Sequence, residues 1–266
     1  MRTPVVVLPV LTGKQALAWD ALMAVAADLG EGWTLIGGQM VLLHQAERQP
    51  AGADPASGAS LRWSYDLDVV VNLRTNRTRM SHIDSVLRDH GFDQQIAPIG
   101  HRYVDAAGTV FDVLAPDHLG RHLPRLGRGN TLQAAGGTQA LKRSGRVEVE
   151  RNQQRALIPR PDLVGALLIK IAAAAGPPGG RGNRRHLLDV MTLAALITPQ
   201  DAANAALTRK ERKRIRGTAR ILAHDGSGPA RAAAQSLTLL VPTPTVDNNT
   251  GHDTPNRSGL LGRSSS

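Results

Sequence analysis

Cysteine is absent from this chain of 266 residues, and aromatic side chains make up only 3% of it. Without cysteine, the protein has no disulfides, no thiolate metal sites and no cysteine nucleophile. With so few aromatic residues, the core must be built mainly from Ala, Leu, Val and Ile. The same shortage disfavours recognition of single-stranded nucleic acid by base stacking.

The sequence also lacks any apolar run of the roughly 18 residues that a membrane span requires. The residues that follow Met1 are too few and too weakly charged for a secretory signal. We therefore expect a soluble, cytoplasmic protein that has no membrane partner.

Lysine is scarce, with five among the 32 basic residues, which outnumber 22 acidic ones for a net charge of +10. The charge is unevenly distributed, with −4 over residues 1–120, +7 over 121–160, +1 over 161–208 and +6 over 209–266. This pattern is typical of a carboxylate-rich site next to a surface that binds a polyanion. A base-composition bias that enriches arginine explains the same numbers, so both interpretations stay open.

Apolar periodicity predicts an α+β protein. Helical spacing covers 12–30, 39–49 and 77–91, and short strands are predicted at 33–38, 65–71, 92–98, 101–107, 109–116, 146–152 and 155–161. From Pro161 to about residue 224 the pattern is helical, while 116–145 is hard to assign. We predict a domain over 1–158 with a mixed sheet and flanking helices, a helical domain over 159–238, and a disordered tail over 239–266.

The most specific local motif is Asp66-Leu67-Asp68, at the start of an apolar strand. Residues i and i+2 of a strand face the same side, so the two carboxylates repel each other unless a cation lies between them. Mg²⁺ prefers such oxygen ligands and keeps coordination positions for phosphate and water. Two solvated acids on a sheet face are the alternative.

Two further features add to this motif. Gly37 and Gly38 follow a predicted strand and open a helix, where backbone N–H groups can approach a phosphate. Asp112 lies inside an apolar strand, where an unpaired charge is costly. A tight turn and a half-exposed strand acid are the respective alternatives. Three carboxylates from two strands would form a two-metal site for displacement at phosphorus.

The order Ile36-Gly37-Gly38, then Asp66-Leu67-Asp68, then Phe111-Asp112-Val113 resembles the nucleotidyltransferase superfamily of the DNA polymerase β type. The segments GGQMVLLH at 37–44 and RWSYDLD at 62–68 are similar to those of the AbiE-type toxin nucleotidyltransferases, which block translation by modifying tRNA. This resemblance covers about residues 30–200. It implies a nucleotidyltransferase fold in the N-terminal domain.

The same resemblance implies a role for each matching residue. Asp66, Asp68 and Asp112 would hold two Mg²⁺ ions against an NTP. The nucleotide site would comprise Gly37, Gly38, Arg62, Ser64 and Lys170. Lys170 and Asp189, on two later helices, would belong to the catalytic set. The RNA contacts are expected from charge and not from the resemblance, because the basic segments 121–160 and 209–266 could follow an RNA backbone. The residues expected to contact RNA are Arg184, Arg185, Arg212 and Arg214.

The expected activity is transfer of a nucleoside monophosphate from an NTP to the 3′ end of tRNA. The protein would act as a toxin, with a cognate antitoxin protein as its partner. A small molecule or a protein hydroxyl is the alternative acceptor. A degenerate fold that only binds nucleic acid or a partner is the non-enzymatic alternative.

Overall fold

The computed structural model describes residues 5–11, 13–48, 64–73, 79–95, 101–119, 125–126, 129–176 and 181–241. Its strands are β1 (Val5–Val7), β2 (Trp33–Ile36), β3 (Asp66–Val71), β4 (Asp93–Gln94), β5 (Arg102–Val104), β6 (Val110–Pro116), β7 (Arg125–Leu126), β8 (Gly129–Asn130), β9 (Gln133–Ala134), β10 (Ser144–Arg151) and β11 (Gln154–Pro161). Its helices are α1 (Gly13–Leu29), α2 (Gly37–Arg48), α3 (Arg79–Asp89), α4 (Gly137–Lys142), α5 (Leu163–Ala174), α6 (Arg181–Ala194), α7 (Pro199–Ala203), α8 (Arg209–Asp225) and α9 (Gly228–Leu240). The predicted α+β class is confirmed.

The main sheet is mixed and has the strand order β2-β3-β6-β5-β4, with β9 beside the end of β6. Strand β3 is parallel to its neighbour β6 and antiparallel to its other neighbour, β2. Strand β5 is antiparallel to β6. A second sheet has the order β1-β10-β11, and β7 pairs with β8. Strand β3 is therefore an interior strand, and its acidic N-terminal end lies between two neighbouring strands.

The few aromatic residues are concentrated in the core. Trp19, Phe92, Tyr103 and Phe111 are fully or almost fully buried, and the rings of Phe92 and Phe111 meet edge to face with centroids 5.9 Å apart. The rest of the core is aliphatic, as the composition predicts. None of the described helices is long and apolar enough to cross a membrane.

Helix α5 joins the later helices to the sheets. It is apolar around its circumference and is buried from Leu163 to Ile171, so it must be covered on every side. Asp162 caps its N-terminus by accepting a hydrogen bond from the Gly165 N–H group. The helix contacts β11, α2, α4, α6 and α8.

Six of the described elements were not predicted from the sequence. Four of them, β7, β8, β9 and α4, lie within 116–145, the segment that is hard to assign from its pattern. The other two are β1 and α9. Strand β1 has three residues, too few for a periodic pattern. Helix α9 begins at a Ser227 cap followed by Gly-Pro and runs through Leu240, where Leu240 and Val241 are buried. The predicted tail therefore starts too early, and its remaining part, 242–266, lies outside the described residues.

A hydrogen-bonded path leads from the core to the start of β3. The Trp19 indole N–H donates to Gln39 Oε1 (2.7 Å), and Gln39 Nε2 donates to the carbonyl oxygen of Ser64 (2.6 Å). All three residues are buried. Gln39 therefore fixes the backbone two residues before Asp66.

We expect Gln39→Leu to lower the free energy of unfolding by about 2 kcal/mol, because it leaves a buried indole N–H and a buried carbonyl without partners. Gln15→Leu is the matched control, since Gln15 is equally buried but its Nε2 has no partner within the described residues. Urea denaturation of both variants measures the difference. Equal losses would contradict the structural role of Gln39.

Candidate active site

The carboxylates of β3 and β6 share one face of the main sheet. Asp66 and Asp68 are two residues apart on β3, so they project to the same side. Asp68 lies in register with Asp112 on the parallel strand β6. The sheet thus brings together the three acids that the sequence analysis singled out.

The start of α2 packs directly against two of these positions. Gly37 has a φ of +70°, and a Cβ built on it would lie 1.9 Å from Asp68 Oδ2. A Cβ on Gly38 would lie 2.4 Å from the Ser64 Cβ. Both glycines are therefore required by close approach to β3 and to the segment before it. Their proposed contact with phosphate remains a prediction.

Helices α5 and α6 contribute positive charge to the same place. Lys170 of α5 donates from Nζ to Asp189 Oδ2 of α6 (2.7 Å), and the two side chains are only 5% and 1% exposed. A buried ammonium of this kind needs a carboxylate partner. On α6, Arg185 Nη2 lies 3.4 Å from the Ser64 hydroxyl oxygen.

The charges around Asp68 are unbalanced. Burial and the negative charge of Asp112 raise the pKa of Asp68 to about 6, and Asp66 adds to this effect. The positive charges of Lys170 and Arg185 act in the opposite direction. Asp68 therefore lies within electrostatic reach of two other carboxylates and of two positively charged side chains, an arrangement typical of functional sites.

Asp112 has a strong partner that the sequence analysis missed. Arg102 of β5 lies opposite Asp112 in the antiparallel ladder. Its Nε donates to Oδ1 (2.9 Å) and its Nη2 donates to Oδ2 (2.7 Å), a bidentate fork. His101 Nε2 lies 4.0 Å from Asp112 Oδ1. Both oxygens of the third carboxylate are therefore bound by a guanidinium.

The contacts of the three carboxylates determine how many divalent cations they can bind. Asp66 and Asp68 are two residues apart on β3 and supply carboxylate oxygens on one face, so the pair fits one Mg²⁺. Over the described residues, no group of three or more Asp, Glu or His side chains is placed to hold a metal ion. Because Arg102 donates to both oxygens of Asp112, a second metal ion at Asp112 would lie beside a guanidinium group, so the contacts of Asp112 fit a second metal ion poorly.

The remaining predicted site residues are four arginines: Arg62, Arg184, Arg212 and Arg214. Arg62 is outside the described residues. Arg184 is exposed on α6 and acts electrostatically on Asp225 at the end of α8. Arg212 and Arg214 are exposed on α8. The contact of these three arginines with RNA remains a prediction.

Comparison with known proteins adds little. No protein-family model matches the chain, and no curated protein does. A crystal structure of an antigenic nucleotidyltransferase-like protein from Paracoccidioides brasiliensis is similar, with 16% identity over 86% of this chain and 88% of that chain, at a TM-score of 0.42. At this level of similarity, the functional argument rests on the geometry of the site.

The raised pKa of Asp68 makes stability depend on pH. The ordinary pKa of an aspartate is about 3.9, so between roughly pH 4 and pH 6 the folded chain keeps a proton that the unfolded chain has lost. The free energy of unfolding contributed by Asp68 therefore falls as pH rises through this window. Without divalent cations, we expect Asp68→Asn to be about 1 kcal/mol more stable than wild type at pH 7.5, and this advantage to vanish near pH 4.

Asp117→Asn is the control, and we expect it to change the stability at pH 7.5 in the opposite direction. Although burial acts in the other direction, hydrogen bonds from Thr138 and Gly136 lower the pKa of Asp117 overall. Asp117→Asn should therefore destabilise the protein at pH 7.5. Urea denaturation at several pH values in EDTA measures both variants, and an Asp68→Asn variant less stable than wild type at pH 7.5 would contradict the assignment.

Proposed function

We propose that the protein is a Mg²⁺-dependent nucleotidyltransferase that transfers a nucleoside monophosphate from an NTP to the 3′ end of tRNA. One observation carries the proposal. Two strand carboxylates, Asp66 and Asp68, lie against the start of a helix at Gly37, and Lys170 is held by Asp189 within electrostatic reach of Asp68. Paired acids beside a fixed cation suit a triphosphate carried with a divalent ion.

In the proposed reaction, the acceptor hydroxyl oxygen forms a bond to the α-phosphorus of the NTP. The bond from that phosphorus to the bridging oxygen breaks, pyrophosphate leaves with the electron pair, and the hydroxyl proton passes to water. A Mg²⁺ ion held by Asp66 and Asp68 would neutralise phosphate charge. Most of the rate enhancement in such a site comes from positioning and charge stabilisation.

The residues of this chain have separate tasks in the proposal. Lys170 neutralises the triphosphate, and Asp189 acts as a positioning residue because it orients the Lys170 ammonium group. Arg185 and Ser64 line the side of the site formed by α6. Gly37 and Gly38 let the helix start approach this side closely.

The basic surface of α8 supports RNA as the acceptor. Arg212, Lys213 and Arg214 are exposed, while the acid beside them, Glu211, is turned inward and accepts hydrogen bonds from Gln139 and the Thr208 N–H group. The outer face of the first turns of α8 is therefore basic. Such a face can follow a phosphate backbone.

The toxin role rests on the resemblance of segments 37–44 and 62–68 to the AbiE-type toxins. It implies that the protein blocks translation and that a cognate antitoxin protein binds it. These two statements are separate from the chemistry of the site and are tested separately, by growth arrest on expression.

The chemistry is tested by label transfer. Purified protein with total tRNA, Mg²⁺ and each α-³²P-labelled NTP in turn should label tRNA, and Asp66→Asn/Asp68→Asn should reduce labelling at least 1,000-fold, because the charges that hold Mg²⁺ are lost. Glu148→Gln/Glu150→Gln removes another pair of acids two residues apart on a strand, at β10, and should retain activity.

The outcomes separate the acceptor classes. Labelled tRNA from wild type but not from the Asp66/Asp68 variant supports the proposal. NTP binding without labelled tRNA for any nucleotide points to a small-molecule or protein hydroxyl. No NTP binding at all leaves a degenerate fold that serves as a binding module.

The RNA surface is tested by the salt dependence of tRNA binding. Arg212→Gln/Arg214→Gln should weaken binding at moderate salt and reduce the slope of log K against log salt by about 1.5, since each lost phosphate contact removes roughly 0.7 to 0.9. The control Arg146→Gln/Arg155→Gln removes the same charge from β10 and β11 of the second sheet, where Arg146 is ion-paired with Glu31 and Arg155 with Glu150. Equal slopes for the two variants, measured by fluorescence anisotropy, would contradict a role for α8.

A further inference from the structure

The two side chains of the Arg102–Asp112 ion pair differ in their exposure to solvent. The Asp112 side chain is 8% exposed, whereas the Arg102 side chain is 39% exposed. The guanidinium is therefore the solvent-accessible member of the pair, and the carboxylate is the buried one.

The arginine acts on the whole acid cluster. The hydrogen bonds that Arg102 donates to Asp112 have the largest effect in raising the pKa of Arg102, and the charges of Asp66 and Asp68 act in the same direction. The guanidinium thus lies within electrostatic reach of all three carboxylates. It has five N–H donors, of which the fork uses two.

Displacing Arg102 from Asp112 would be costly. A metal ion bound to Asp112 would have to share a carboxylate oxygen with Arg102 or displace the guanidinium, and in either case it would place a second positive charge beside the guanidinium. Charge-assisted bidentate pairs with one buried partner are among the stronger polar contacts in proteins. The arrangement therefore favours the arginine over a second metal ion.

We infer that the acid cluster binds one divalent cation, through Asp66 and Asp68, and that the Arg102 guanidinium supplies the second positive charge of the site. Asp112 is then a positioning residue for Arg102. The fork uses two of the five N–H donors of Arg102, and its side chain is 39% exposed, so the guanidinium can also donate to a phosphate oxygen. This inference rests on the proposed nucleotidyltransferase function and changes its metal requirement from two ions to one.

The number of bound Mn²⁺ ions tests the inference. The full chain is saturated with non-hydrolysable α,β-methylene NTP analogues, and Mn²⁺ per chain is counted by electron paramagnetic resonance against a nucleotide-only blank. Wild type and Asp112→Asn should each bind one ion. Arg102→Gln frees the Asp112 carboxylate and should bind two, with the spin coupling of a close pair, and Arg102→Gln/Asp112→Asn should return to one.

Arg88→Gln is the matched control. Arg88 also contacts both oxygens of one aspartate, Asp84, and its side chain is also 39% exposed, but it lies on α3. This variant should bind one ion. Two ions in wild type that fall to one in Asp112→Asn would overturn the inference, as would a count of one in folded Arg102→Gln.

The design separates this inference from the proposed function. Two ions in wild type overturn the inference and leave the nucleotidyltransferase proposal intact. A wild-type chain that binds neither Mn²⁺ nor the nucleotide analogues overturns the proposed function and the inference with it. The wild-type count needs no variant, so a variant that fails to fold does not remove the test.

Discussion

The ammonium group of Lys170 lies inside an apolar helix, 2.7 Å from the carboxylate of Asp189 on the neighbouring helix. Both side chains are almost completely buried, and removing one partner of such a pair is strongly destabilising. The pair fixes α5 against α6. Because α5 also packs on β11 and α4, the same contact sets where the helices stand relative to the sheets.

The rest of the site consists of charges arranged around that fixed cation. Asp66, Asp68 and Asp112 share a sheet face, and their mutual repulsion is reduced on one side by Lys170 and Arg185 and on the other by Arg102. Asp68 keeps an elevated pKa despite these partners, so the balance is incomplete without a ligand. The fold therefore presents negative charge at one place and positive charge around it, as recognition of a metal–phosphate complex requires.

Much of this arrangement could be predicted from local sequence, because it depends on periodicity and on charges in apolar surroundings. The acids of β3, the helix that starts at Gly37, and Lys170 within an apolar helix are all signals of this kind. The partnership of Arg102 with Asp112 could not be predicted, since it depends on which strands pair and in what register. Helix α9 was missed although its buried positions follow helical spacing, because three of the five are alanines, which contrast little in hydropathy with their neighbours. This buried side packs against α8 and α6.

The path from Trp19 through Gln39 to Ser64 has a consequence for observing the site. The chain has three tryptophans, and the indole of Trp19 is fully buried and hydrogen-bonded to the side chain that holds the backbone before β3. Arg185 contacts Ser64 from the other side. Displacement of the segment before β3 changes the hydrogen bond and the electric field at the Trp19 ring. The emission of this tryptophan is therefore an intrinsic optical reporter of events beside the carboxylates.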